Sequence, residues 1–262
     1  MQDIINTMNR FSRDLSDILG DNLLSVILFG SAVMGDFRPG EGDLDFVVVT
    51  RTDLSDSDCK AIFDLHDRMR TGEMGRLAAQ LEGTYYPDAI IRDPHNTKAG
   101  GCYIGTSRRN WRQVDSNKNS MMDYAIIRAL GVTSGGEEIR YLFYEPSRAE
   151  LLDEIVRSLD ANIEGCAEHN GVGFALAMFH WAPRALCFAM TGEIVSKTKG
   201  AMWYASQFPD SRWTPLVTHA MRFRVCPPTP EMQGRVDPAI VDVVWDFLMH
   251  VRELIRIFNY NC

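Results

Sequence analysis

FGSAVMGDFRPGEGDLDFVVVT, Phe29 to Thr50, decides how this chain is read. Gly30-Ser31 closes an apolar run, Leu23 to Phe29 (LLSVILF), that reads as a short buried strand. Gly30 to Gly42 is a loop punctuated by Gly and Pro, with room for a helical turn near Ala32 to Met34. Asp43 to Thr50 reads as a second strand. Residues two apart in a strand share a face, so Asp43 and Asp45 project together, away from Leu44 and Phe46. Like charges this close repel, and either one carboxyl holds a proton or a cation sits between them. Magnesium, a hard ion that takes carboxylate and phosphate oxygens, fits. The plain alternative is a solvated turn that Asp43 caps, and a bare D-x-D would not exclude it.

This D-x-D is not bare. Gly30 would let a phosphate approach the backbone, and Ser31 offers it a hydroxyl and an amide N–H. A helix starting at Ala32 would add its positive end. A third acid, Glu82, lies in LAAQLEGTYY, Leu77 to Tyr86, which reads as a third strand. Glu82 either sits alone on an exposed strand face or joins Asp43 and Asp45. In the second case it would bind metal or take the proton of an attacking hydroxyl.

Residues 2–19 and 55–71 have helical periodicity on either side of the first two strands. Residues 93–120 are polar and irregular, a connection long enough to be a functional loop. Residues 121–129 read as strand or helix, 131–136 as a turn, and EEIRYLF as a short helix. From Pro146 the pattern becomes wholly helical: 147–168, opened by a Ser147/Glu150 capping box, then 172–190, 198–207, 212–223 and 238–258. The expected organisation is an α/β domain, residues 1–145, with a short mixed sheet, followed by an all-α helical bundle, residues 146–262. Pro183 predicts a kink in its helix.

The chain has 262 residues, 45% apolar and 24% charged, with a formal net charge of -8. An acidic chain is a poor general nucleic-acid binder and suits cationic small molecules better. Its six cysteines form no C-x-x-C pair and read as reduced thiols of a cytoplasmic protein. The amphipathic, mixed-charge N-terminus does not read as a signal peptide, and no apolar run is long enough to suggest a membrane span.

GSAVMGDFRPGEGDLDFVVV resembles the signature of the nucleotidyltransferase superfamily, with Gly42 where that pattern usually has Ser before D-x-D. Residues 185–209, ALCFAMTGEIVSKTKGAMWYASQFP, resemble the helical domain of the aminoglycoside adenylyltransferases that modify streptomycin and spectinomycin. The matching positions are Arg184, Thr191-Gly192, Ile194, Lys197 and Trp203. The resemblance implies a nucleotidyltransferase fold, ATP as co-substrate and Mg²⁺ held by Asp43 and Asp45. Gly30 and Ser31 would cradle the terminal phosphates, and Glu82 would be the catalytic base or a further metal ligand. Arg184 and Lys197 would reach the phosphates, with Lys199 as a substitute for Lys197. Trp111 would border the drug, and His180 would line the cleft. Asp123 is either structural or an aid to nucleotide binding. The implied protein is a monomeric antibiotic O-adenylyltransferase that binds neither nucleic acid nor membrane. The alternatives are transfer to another hydroxylated metabolite or a protein side chain, and a binding homologue without activity. Acids expected before the second helix of the helical domain are replaced here by Asn170 and Phe174, with Glu168 nearby. That departure weakens streptomycin more than the smaller, less charged spectinomycin.

Overall fold

A computed structural model describes residues 1–40, 42–95, 100–104, 112–115, 120–166, 168, 171–224 and 238–260. The chain divides into two compact units, Met1–Pro146 and Ser147–Cys262.

The first unit is built on a mixed sheet. Strands β1 (Leu23–Leu28), β2 (Leu44–Thr50), β3 (Leu81–Pro87), β4 (Gly100–Ile104), β5 (Arg112–Asp115) and β6 (Val132–Gly136) lie in the order β5-β4-β3-β2-β1-β6. β2 and β3 are parallel, joined by a crossover that contains helix α2 (Asp56–Arg70); the other pairings are antiparallel. The run Phe46-Val47-Val48-Val49 lacks polar alternation because both faces of β2 are covered. On one face Phe46 and Val48 pack with Leu65 of α2 and with Met8, Phe11 and Leu15 of helix α1 (Gln2–Leu19). On the other, Val47 and Val49 pack with Ile90 and Ile91 of α3 (Asp88–Arg92). Tyr124 and Ile127 of α4 (Met121–Leu130) complete that layer.

Several elements differ from the sequence reading. β3 starts at Leu81, after a 3₁₀ turn over Ala78–Gln80, rather than at Leu77. The stretch 93–120 is not one irregular loop: β4 and β5 extend the sheet within it, β5 at the edge, where a polar strand is tolerated. Residues 131–136 form strand β6 at the opposite edge rather than a turn, and EEIRYLF contributes only the 3₁₀ turn Arg140–Leu142. Residues 30–35 are hydrogen-bonded turns rather than a helix, so no helix dipole stands behind Ser31.

Among the described residues the second unit contains α5 (Arg148–Gly165), α6 (Val172–Thr191), α7 (Lys197–Gln207), α8 (Thr214–Arg222) and α9 (Pro238–Tyr260). The Ser147/Glu150 capping box opens α5, with both reciprocal hydrogen bonds formed. α6 is long and apolar enough to cross a membrane by length and composition alone. Most of it is buried inside the bundle, as expected of a central helix: Phe179 stacks on Phe247 of α9, centroids 4.7 Å apart. The helix continues through Pro183.

Candidate active site

The β2/β3 register sets the geometry. Asp45 is directly opposite Glu82, on the strand face that α4 covers. Neighbouring strands lie about 4.8 Å apart, so this register brings two acids from distant stretches side by side. Asp43 stands one residue before β2 and is exposed. It therefore flanks the pair from the loop rather than from within the strand.

Gly30 sits against the Asp45 side chain. Its φ is +67°, and a Cβ built there would lie 2.0 Å from Asp45 Oδ2. Both the backbone conformation and the close approach require glycine. The Ser31 backbone N–H donates to the Asp45 carboxylate. Phe29 N–H donates to the Asp45 carbonyl at 2.9 Å, fastening the loop's first residue to β2. Turn bonds from Met34 N–H to the Gly30 carbonyl (3.2 Å) and from Asp36 N–H to the Ser31 carbonyl (2.9 Å) give the loop its curl. The Gly-Ser and D-x-D motifs are thus two walls of one feature.

Asp45 has its proton affinity raised to about 7. Burial is the largest cause, followed by the charges of Asp123 and Asp43; the Ser31 N–H opposes the shift, and Glu82 adds to it. Asp123, in the first turn of α4, is thus a fourth acid of this neighbourhood and acts on Asp45 more strongly than Asp43 does. Its one sequence signal is the helix-opening spacing Ser120-x-x-Asp123, where the Ser120 hydroxyl accepts from Asp123 N–H at 3.2 Å. Asp123 also raises the Tyr86 hydroxyl, which burial carries to about 12 while a hydrogen bond with Thr84 pulls it back.

Among the described residues no three His, Cys, Asp or Glu side chains form a closed metal cage. The donor chemistry nonetheless suits magnesium, which is usually held by one or two carboxylates together with substrate phosphates and water. A carboxyl held at about 7 by burial and by surrounding acids is one that a cation would stabilise in its charged form.

In the second unit, T-G-E-I-V-S-K is the connection from α6 to α7. Gly192 ends α6, and Ser196 caps α7 by accepting from Lys199 N–H at 3.3 Å. Arg184 packs across this connection: its Nε donates to the Val195 carbonyl at 3.0 Å, and its Cγ lies 2.7 Å from where Gly200 would carry a Cβ. Lys197 and Lys199 are exposed in the first turn of α7, which has no acid. Cations there oppose the helix dipole, so that end is set up to meet an anion. His180 is buried in the bundle, where its Nε2–H donates to the Ala220 carbonyl at 3.0 Å and ties α6 to α8. Trp111 lies outside the described residues, as does Asn170.

Residues 8–91 match the family model of the nucleotidyltransferase domain. The N-terminal unit carries a nucleotidyltransferase domain. The match takes in Gly30, Ser31, Asp43, Asp45 and Glu82 together. The fold is similar to that of spectinomycin adenyltransferase AAD(9) from Enterococcus faecialis, solved with ATP and spectinomycin. The TM-score is 0.68 at 15% identity, and the likeness covers 95% of this chain and 98% of that one. No curated protein is similar enough in sequence to match.

Proposed function

We propose that this nucleotidyltransferase moves AMP from Mg²⁺-ATP to a hydroxyl of a small aminocyclitol antibiotic, with spectinomycin as the preferred substrate class. The observation that carries the reading is the Asp45/Glu82 pair on adjacent parallel strands, with Gly30 and Ser31 folded against Asp45. Asp43 and Asp45 would hold Mg²⁺, which when bound neutralises charge on the phosphate oxygens. Glu82 accepts the proton of the substrate hydroxyl as that oxygen attacks the α-phosphorus. The bond from the α-phosphorus to the bridging oxygen breaks, and pyrophosphate leaves carrying the electron pair. Gly30 with its backbone N–H and Ser31 with its hydroxyl take the terminal phosphates, the Ser31 N–H being held by Asp45. The resemblance would assign Lys197, with Lys199 as its substitute, and Arg184 to the same phosphates, and Trp111 to the antibiotic; within its own unit Arg184 orders the α6–α7 connection through the Val195 carbonyl.

The substrate preference follows from charge. Among the described residues α6 carries no acid, and Phe174 stands where an acid would pair with a strongly cationic drug. A less cationic aminocyclitol loses least from that. Mass spectrometry of spectinomycin and streptomycin after incubation with the enzyme, ATP and Mg²⁺ tests this. The expected result is one adenylyl group added to spectinomycin and little to streptomycin. Unmodified drug with both would remove the antibiotic assignment, and adenylylation of streptomycin alone would reverse the charge argument.

A further inference from the structure

The loop between β1 and β2 holds a cation that the reading above does not use. Arg38 is anchored by its backbone: its carbonyl accepts from Gly42 N–H at 3.1 Å, which closes a turn immediately before Asp43. The Gly42 carbonyl accepts from Gln80 Nε2 at 2.7 Å, fixing the end of the loop to the approach of β3. The preceding Phe37 packs against the core under the sheet. Arg38 as a whole is half-buried. Its Nε is sealed from solvent, and among the described residues nothing accepts a hydrogen bond from it.

A guanidinium keeps its proton at any working pH, so this is a permanent cation with a buried, unmet donor. Burying such a donor is unfavourable unless something arrives to accept from it. No ion pair joins Arg38 to an acid among the described residues. The loop itself indicates which acceptor fits. It begins with Gly30-Ser31, where the Gly30 N–H and the Ser31 hydroxyl offer donors, and ends at Asp43 beside the acid pair. The reacting phosphorus has to face Asp45 and Glu82, where the acceptor hydroxyl loses its proton. The part of a nucleotide that leaves gathers negative charge as the bond breaks and needs a fixed cation of its own. A planar fork of N–H donors matches phosphate oxygens in shape as well as charge.

We propose that Arg38 binds the pyrophosphate end of the nucleoside triphosphate, its Nε–H donating to a β- or γ-phosphate oxygen. The proposal rests on the nucleotidyl-transfer reading and adds to it the residue that grips the leaving group.

The test compares wild type with Arg38→Gln and Arg38→Lys, each checked by circular dichroism and thermal unfolding. Calorimetry measures their binding of Mg²⁺-ATP, Mg²⁺-AMP and Mg²⁺-pyrophosphate. Arg38→Gln is expected to weaken ATP and pyrophosphate binding about tenfold or more and to leave AMP binding within about twofold. Arg38→Lys keeps the charge without the fork and is expected to fall between the two. Equal affinity of wild type and Arg38→Gln for ATP and pyrophosphate overturns the proposal. So does a parallel loss of AMP binding or a collapse of thermal stability in both variants, since either assigns Arg38 to holding the loop. Failure of wild type to bind ATP at all removes the nucleotidyl-transfer reading and Arg38's role together, an outcome distinct from the others.

Discussion

The two faces of the β2/β3 pair bury titratable groups in opposite ways. Under the sheet, His66 of α2 has its Nε2 2.6 Å from the Tyr85 hydroxyl and its ring stacked on Phe46 at 5.8 Å. Burial, helped by the Arg70 charge, lowers His66 to about 3, so it stays neutral across the working pH range. On the other face burial, and then the charges of Asp123, Asp43 and Glu82, raise Asp45 to about 7. The histidine is satisfied by a partner within the fold. The aspartate has one backbone donor, Ser31, against three like charges. The lower face is therefore finished as folded, whereas the upper one keeps a carboxyl that a positive ligand would stabilise in its charged form.

The contrast breaks most visibly at the acids. Asp45→Asn should lower turnover by about a thousandfold or more, measured as pyrophosphate release, because the charge that would position the cation is gone. Glu82→Gln should lose about 10²- to 10⁴-fold in turnover while calorimetry shows retained ATP binding. Lost ATP binding would instead make Glu82 chiefly a metal ligand. Gly30→Ala should cost about a hundredfold, since its Cβ would push Oδ2 of Asp45 aside in a site where small displacements are expensive. Intact turnover in that variant would mean that the wall formed by Gly30 does no positioning.

The pH dependence of stability sharpens the comparison. Asp45 has a folded value of about 7, above its ordinary value of 3.8. The folded state therefore holds the extra proton between the two values, and the contribution present at low pH is lost as pH rises towards 7. Thermal unfolding without metal should show wild type falling behind Asp45→Asn between about pH 4 and pH 7, by on the order of 3 kcal/mol. Mg²⁺ with ATP should narrow the gap. His66 should add no comparable slope above pH 4, being already neutral. The smallest effect belongs to the lower face. Tyr85→Phe leaves His66 Nε2 without its partner and should cost about 1–3 kcal/mol in urea unfolding, with turnover within about twofold.

Much of this was legible in residue order, for physical reasons that differ by element. The strand carrying Asp45 announced itself through an apolar run buried on both faces, and the helices of the second unit through their period and the Ser147 cap. The edge strands β5 and β6 did not, because a strand paired on one side needs neither apolar faces nor β-branched residues, and neither did β4 beside β5. Glu82 drew notice as an acid among apolar neighbours, but its place opposite Asp45 is a matter of register, which one sequence does not display. Asp123 reads in the sequence as either structural or an aid to nucleotide binding, and its nearness to Asp45 is visible only in the fold. Arg38 stands in a loop, and the burial of its Nε is a matter of three-dimensional packing that one sequence does not display. His180 drew notice as a histidine near Arg184, and its hydrogen bond to Ala220 gives it to the packing of α6 on α8.

The most direct measurement is pyrophosphate release from ATP, with Mg²⁺ and spectinomycin, by wild type and Asp45→Asn side by side. The account predicts substrate-dependent release by wild type that stops when Mg²⁺ is chelated, and only background from the variant. Equal release by the two proteins would contradict it, because the acid pair across β2 and β3 would then have no part in the chemistry.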